Sequence, residues 1–405
     1  MIYGFGWALQ ARYRRSERGF PDSRSRAIAP KLQTHDMNAE PRAARPRTRG
    51  RRKRMAFEFG MFHEFQRTAG ATDEEAFATS FEQVDAAERW GLDAMWLAEI
   101  HVAPERSVLS APLTMASAIA ARTKRMKIGT AVQVLPLCHP LRLAEEVATV
   151  DQISRGRLIF GVGRSGFPRT YEAYGVPYGE SRERFTETLE ILKKAWTEES
   201  FSYKGQYYSF DNVKATPRPY QKPWPEIRIA ANSADTFPAI AKLGHAVFVA
   251  VRLGTLEELE PNITAYREAW KEAGHPGEGK VFLRAPVYVA ETDQAARDEP
   301  EESIMYFYRY LGERLVDSAT RSGVRAVEDR AARGGRLQTI TYDEALRDKL
   351  IVGSPERVTD RLMGLQETLG LDGILCEMNC GTKIPHERVM KSLQLLCEKV
   401  KPNFH

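Results

Sequence analysis

From Phe57 onward the chain alternates short, continuously apolar runs with longer amphipathic stretches. The short runs cover 57–62, 94–98, 126–132, 157–163, 227–231, 246–251, 283–290 and 373–378, each of β length and mostly bounded by polar residues, Gly or Pro. Between them, apolar positions spaced i, i+3, i+4 predict helices over 74–90, 112–124, 140–154, 181–196, 234–243, 256–273, 294–310 and 355–369, with a last one over 386–400. Pro112, Pro140 and Pro355 stand at first-turn positions, where a missing N–H is harmless, and Gly91, Gly156 and Gly244 follow helices as stops.

Strands separated by helices pair in parallel, because antiparallel hairpins take links of about two to five residues. The runs RLIFGVG and GILCEM are apolar throughout, as in strands covered on both faces. Eight such units close a (β/α)8 TIM barrel, which needs about 250 residues. The surplus lies in 198–224, rich in Tyr and Pro, and in 312–349, charged and punctuated by Arg and Gly. Both are expected as insertions in the βα loops at the active-site end.

The 405 residues are 42% hydrophobic and 28% charged, a balance that builds a packed enzyme-sized body. No run of 18 apolar residues occurs, so no membrane-spanning helix is expected. The net charge of +5 is unevenly carried: residues 1–54 hold 15 Lys and Arg against 4 Asp and Glu, and the rest hold 44 against 50. The body is therefore mildly acidic, which argues against nucleic-acid binding by the folded part. Residues 1–54 end in Arg49-Gly-Arg51-Arg52-Lys53-Arg54 and show no apolar period, so they are expected to be a disordered basic extension, with 55–405 as the barrel domain. The extension reads as a translated upstream stretch before a start at Met55, as a basic tail for nucleic acid or anionic lipid, or as a transit peptide, though Glu17, Asp22, Asp36 and Glu40 are unusually acid for the last. Cys138, Cys376, Cys380 and Cys397 are too few and scattered for a disulfide framework. No second Cys/His pair completes a zinc site, which points to a reducing cytoplasm and no metal.

Candidate chemistry gathers at strand ends. Gly161-Val-Gly163-Arg-Ser-Gly166 follows a strand and matches G-x-G-x-x-G, but a dinucleotide fingerprint needs a helix opening among the glycines, and here the helical period resumes only near Glu180. The other reading is a glycine-rich strand end that a ligand or another loop approaches closely. Arg164, just beyond, suits an anion or a surface salt bridge. The segment from Asn232 to Thr236 ends the fifth strand where a helix begins. Asn232 or Ser233 is the expected N-cap, and open N–H groups with hydroxyls there also form an anion site. Arg164 and this segment, on neighbouring strands, are placed to hold one phosphate. Glu99 and His101 end the second strand and His63-Glu64 the first, at the end where barrels carry active sites. His139, before Pro140, reads equally as a helix-entry residue. Phe62, Phe65, Trp96, Phe167, Tyr171 and Tyr174 supply either a water-poor pocket or ordinary core. No H-E-x-x-H, G-x-S-x-G or Walker pattern supports metal or serine hydrolysis.

The run MKIGTAVQVLPLCHPLRLAEEVATVDQISRGRLIFGVGRSG (126–166) resembles the bacterial luciferase-like flavin monooxygenases. So do FGMFHEF near the start, WLAEIHV after the second strand, ESRERF at 180–185 and VGSPERVTDRL at 352–362. The resemblance covers nearly everything from Met55 on, except 312–349. It implies a TIM barrel with insertions that uses reduced FMN and O2 to oxygenate a small organic substrate. The reducing equivalents would come from a flavin reductase or NAD(P)H, and a homodimer or related heterodimer is implied. Members that use a deazaflavin make a deazaflavin-dependent dehydrogenase the alternative; a non-catalytic flavin-binding partner subunit is another. By position, the resemblance makes Arg164 the phosphate-binding arginine and Ser233 and Thr236, with Asn232 beside them, its partners. Ala131 and Val132 become a non-prolyl cis peptide behind the isoalloxazine, and Ser181 and Arg182 a helix start beside the flavin. Members commonly carry two adjacent histidines after the strand-two glutamate, the first a catalytic acid/base. Here Ile100 takes that place, which leaves Glu99 and His101 as the catalytic candidates.

A chain starting at Met55 is expected to keep the thermal midpoint and flavin affinity of the full chain. Thermal unfolding of the two side by side checks this, and a large loss on truncation overturns it.

Overall fold

The computed structural model describes residues 57–231, 233–251, 254–321 and 327–404. The expectations for residues 1–54 and for Asn232 lie outside these. Each of the eight apolar runs overlaps a strand: β1 Glu58–His63, β2 Ala94–Leu97, β3 Lys127–Thr130, β4 Leu158–Gly163, β5 Glu226–Ala230, β6 Ala246–Ala250, β7 Val281–Val289 and β8 Gly373–Glu377. Every neighbouring pair is parallel, and β8 pairs with β1, so the sheet closes into the expected (β/α)8 barrel. Helices separate the strands, and each of the three helix-start prolines sits in a first turn. Gly91 ends its helix with a φ of 78°, a conformation that costs glycine nothing.

The insertions depart from expectation. The third run breaks after Thr130: the Ala131–Val132 peptide bond is cis, and Gln133–Val134 pairs separately with β4. The helix expected over 294–310 is two, Asp293–Asp298 and Glu301–Ala319, because Pro300 has no N–H to continue the first. Residues 312–349, expected as loop, are largely helical. The helix Glu301–Ala319 runs into them, Val327–Thr339 packs back against it, and Tyr342–Asp348 follows behind a Thr341/Glu344 capping box. This insert does lie in a βα connection, after β7. The other surplus segment does not: its hairpin, Phe201–Lys204 with Ser209–Val213, follows the helix Ser181–Thr197 and precedes β5. Its turn is tied down by Glu187, which accepts from Gln206 N at 2.6 Å and Tyr207 N at 3.1 Å.

Inside the barrel, Trp96 of β2 is fully buried, and glycine makes room for it on both neighbouring strands. A Cβ on Gly60 would lie 2.4 Å from its indole nitrogen and one on Gly129 2.1 Å from its ring. Arg228 of β5 lies 3.5 Å from the Phe282 ring centroid and 4.8 Å from that of Trp96. Its charge is balanced by Glu58 at 2.7 Å and Glu226 at 2.9 Å, as a buried guanidinium requires. Toward the C-terminal ends, Arg284 lies 3.4 Å from the Phe62 ring centroid and pairs with Glu377 at 2.9 Å. Glu64 links Arg284 at 3.5 Å to Arg106, whose Nε is at 2.7 Å.

The glycine pattern 161–166 finds its explanation here. A Cβ on Gly161 would lie 1.8 Å from the Thr130 carbonyl oxygen and 2.8 Å from the Phe248 ring, and Thr130 Oγ1 donates to Gly161 O at 2.6 Å. Strand β3 is the close neighbour, and the next helix, Pro168–Ala173, opens only past the third glycine. A Gly161→Ala substitution forces this backbone contact apart. It is expected to lower the unfolding free energy by about 3 kcal/mol, read from the denaturant midpoint; an unchanged midpoint would show that β3 and β4 are not clasped there.

Candidate active site

The C-terminal ends of β2, β3, β4 and β5 converge on two linked groups of polar side chains. The first surrounds Glu99. Its Oε1 lies 2.8 Å from His101 Nε2, and its Oε2 accepts from Gln133 Nε2 at 2.6 Å and from Val134 N at 2.8 Å. Glu99 thereby ties the end of β2 to the segment just past the cis bond. His101 Nδ1 lies 3.0 Å from the hydroxyl of Tyr174, in the loop after β4. Ile100, where the resemblance expects an imidazole, packs against the apolar core instead.

The second group follows β4 and β5. Arg164, half-buried, donates from Nη1 to Ser181 Oγ at 3.1 Å, and its carbonyl accepts from the buried Tyr171 hydroxyl. Among the described residues no carboxylate pairs with Arg164. The next residue along, Arg182, pairs with Asp235 at 2.8 Å. Asp235 accepts from Ser233 Oγ at 2.6 Å, and Ser233 Oγ lies 2.8 Å from Thr236 Oγ1. Arg164, Ser181, Arg182, Ser233 and Thr236 thus form one run of contacts across the ends of adjacent strands. Hydrogen bonds from Ser233 and then Arg182 hold the Asp235 carboxyl below the usual carboxylate range.

Between the groups the floor is made of small residues. A Cβ on Gly163 would lie 2.6 Å from Val132 Cγ2 and 3.6 Å from Ala230 Cβ, so Val132 rests on the bare backbone of β4. Gln133 Oε1 is buried and has no hydrogen-bond partner among the described residues, an acceptor left open at the edge of this floor. A flat aromatic ring system with N–H donors and a phosphate tail fits this set: small residues, an open acceptor, and an arginine without a carboxylate.

Other expectations change. Asp235, not Ser233, holds the N-cap position of the helix Thr236–Lys242, and among the described residues no side chain caps it; the Ser233 hydroxyl is turned to Asp235 and Thr236 instead. His63 is core: its Nε2 meets Gln83 Oε1 at 3.0 Å and its Nδ1 accepts from Phe65 N at 2.9 Å. His139 enters its helix and contacts Tyr208 and Phe210 of the hairpin. Asp235 and Gln133 lie outside the residues the sequence points to, and Tyr174 is among them only as a pocket-lining aromatic, not as a partner of His101. Asp235 had a signal, lying between two hydroxyl residues at a helix start. Tyr174 meets His101 from 73 residues away, which no local pattern reveals.

The family model of luciferase-like monooxygenases matches residues 57–372. The oxygenase component of a flavin-dependent trigonelline monooxygenase from Acinetobacter baylyi is 26% identical over 355 residues, 85% of this chain and 95% of its own length. The crystal structure of the monooxygenase RslO1 from Streptomyces bottropensis superposes with a TM-score of 0.71 at 26% identity, covering 86% of this chain and 100% of that one. The oxygenating constituent of 3,6-diketocamphane monooxygenase from Pseudomonas putida, solved with FMN, shares the fold at a TM-score of 0.72 and 24% identity, over 86% of this chain and 99% of its own.

Burial pushes the His63 imidazole down to about 4, against the opposing pull of Gln83 and Glu64. An unfolded histidine titrates near 6.5, so between the two values the unfolded chain holds a proton that the folded one does not. The stability this burial confers is full above about pH 6.5 and is lost as pH falls toward 4, roughly 3 kcal/mol in all. His245, pushed down to about 3 by burial, acts in the same direction. The His63→Gln variant is therefore expected to lose less stability between pH 7.5 and pH 4.5 than the wild type. Denaturant midpoints at the two pH values check this, and equal losses overturn it.

Proposed function

The chain belongs to the luciferase-like monooxygenases, and from that membership we propose that it binds reduced FMN and uses O2 to oxygenate a small organic substrate. The observation that carries the reading is Arg164: a half-buried guanidinium beyond β4 whose side chain meets, among the described residues, only a serine hydroxyl, with the Ser233–Thr236 hydroxyls gathered at the end of the adjacent strand. FMN, when bound, supplies the redox chemistry with oxygen that side chains cannot. The protein supplies the rest.

Arg164, with Ser181, Ser233 and Thr236, holds the phosphate, and Arg182 stays neutralised by Asp235 until an anion competes for it. Val132, on the bare backbone at Gly163, and Ala131 before it back the ring, and Gln133 Oε1 offers an acceptor to a ring N–H. Glu99 and His101 hold a proton at the same barrel end. The helical insert keeps the loops around the mouth in place. Arg330 donates to Gly166 O in the loop after β4, while Tyr310 and Arg314 bond Glu105 after β2 at 3.1 and 3.0 Å. Such tethers keep water from a site where reactive species must be shielded. The relative described as an oxygenase component favours a separate reductase as the source of reduced flavin, with NAD(P)H used directly as the other route.

Oxygen uptake driven by reduced FMN in the presence of the protein tests the activity. For the phosphate anchor, a charge-assisted bond is worth about 1.5–3 kcal/mol, so Arg164→Ala is expected to weaken FMN roughly 10- to 100-fold. Riboflavin, which lacks the phosphate, is expected to bind almost as before. Equal weakening of both ligands by fluorescence titration would make Arg164 a structural residue.

A further inference from the structure

The Glu99–His101 pair continues into a third side chain. Oε1 and Oε2 of Glu99 together accept from His101, Gln133 and the Val134 amide, and an ionised carboxylate can only accept. The proton between Glu99 and His101 therefore sits on Nε2. A neutral imidazole protonated at Nε2 has only a lone pair at Nδ1, so the Tyr174 hydroxyl, 3.0 Å away, donates to it. The hydrogen-bond network assigns this tautomer.

The consequence is that both ring nitrogens of His101 are engaged and neither is open to a bound molecule. The His101 side chain is only 10% exposed, whereas Tyr174 is 49% exposed and its oxygen keeps acceptor capacity. The two rings meet edge to face with centroids 4.9 Å apart. Val102, directly after His101, has a φ of 56°, a conformation costly for a β-branched residue and one that only the surrounding packing sustains. The imidazole is thus held from both sides.

We propose that Tyr174 is the proton-exchanging end of the site, acting through His101 and Glu99 in place of the imidazole missing at position 100. A proton leaving a bound reactant goes to the Tyr174 oxygen as the hydroxyl proton passes to Nδ1. The resulting imidazolium keeps its Nε2–H bond to the Glu99 carboxylate, and the reverse transfers return the proton. No electrons move in this relay. The titratable groups facing Tyr174 besides His101 are Glu99 and Cys138; burial pushes the phenol above its ordinary range and both neighbours add to that, so it conducts as the hydroxyl rather than as phenolate. The inference rests on the monooxygenase reading for the reaction it serves.

Tyr174→Phe removes the hydroxyl and keeps the ring; His101→Gln removes the imidazole. In the flavin-free protein, histidine 15N NMR is expected to find His101 protonated at Nε2 with a hydrogen-bonded Nδ1. In Tyr174→Phe the Nδ1 resonance is expected to move to that of an uncapped lone pair. A His101 protonated at Nδ1, or a resonance indifferent to Tyr174→Phe, overturns the relay without reference to any flavin. Next, oxidation of reduced FMN by O2 on the protein is followed by stopped flow, with FMN affinity as the control for folding. Each single variant is expected to slow it about 100-fold, and the double variant no further, because two members of one relay are lost only once. A Tyr174→Phe protein at wild-type rate beside a slow His101→Gln protein would place the exchange on His101 alone. Multiplying effects in the double variant would make the two residues independent. A wild-type protein that fails to bind FMN would overturn the flavin reading, while the NMR result still decides the relay.

Discussion

A closed eight-stranded barrel has to fill its own axis, and how it does so decides where a ligand can lie. Trp96 occupies the axis because Gly60 and Gly129, on the strands either side of it, have no Cβ to obstruct the indole. Its Nε1 has no hydrogen-bond partner among the described residues, a cost of about 1–3 kcal/mol for a buried donor. Opposed to that are the full burial of the largest side chain and the Arg228 guanidinium against its ring. The filling is lopsided. Aromatic rings and paired charges come from β1, β2 and β5 to β8, while the floor beyond the third to fifth strands is left to Ala131, Gly163 and Ala230. The space for a flat ring is therefore a by-product of which strands carry the bulk.

Removing Arg228 would leave Glu58 buried beside an empty slot, so the pair is costly to break whatever it contributes intact. Burial raises the Glu58 carboxyl, yet Arg228 and Lys127 together hold it below its ordinary value. The same logic governs the second network of Glu64, Arg106, Arg284 and Glu377, which carries two charges of each sign. Arg106 also lies over the Phe307 ring at 5.6 Å, so this network joins the barrel to the helical insert. The insert is tied further by Ser303, whose hydroxyl donates to Cys380 O at 2.7 Å and accepts from Lys383 N at 2.9 Å. The loops bearing the candidate site residues are held by this helical insert after β7.

The eight strands were legible because strands buried on both faces must be apolar throughout, and nothing else in the chain imitates that. The position of Arg164, Ser233 and Thr236 just past strand ends was legible because the alternation fixes where each strand stops. The insert was not. Gly312, Gly334 and Gly335 looked like loop punctuation, since each costs a helix about 1 kcal/mol. Yet a Cβ on Gly312 would lie 2.7 Å from Gly334 O. Gly312 and Gly334 sit where two helices cross too closely for a side chain, a requirement set by the partner helix rather than by the local sequence. The polar contacts of Asp235 and Tyr174 escaped for a related reason: they are made with Arg182 and His101, 53 and 73 residues away.

Positive φ at residues other than glycine also marks the mouth. Phe65, Val102 and Ser165 have φ of 49°, 56° and 57°, and each lies a few residues past the end of β1, β2 or β4. Such conformations cost of order 1–3 kcal/mol each and persist only where packing over-determines them. Here the packing is visible. Phe65 N is bonded to His63 and its ring meets Phe77 and Phe81, Val102 follows the clamped His101, and Ser165 lies between Arg164, anchored by Tyr171, and Gly166, held by Arg330. A rigid barrel below and a helical insert above together hold three strand ends in shapes that none would adopt alone. That is how a fixed constellation can be built on loops: the loops are strained, and the elements on both sides of them are not.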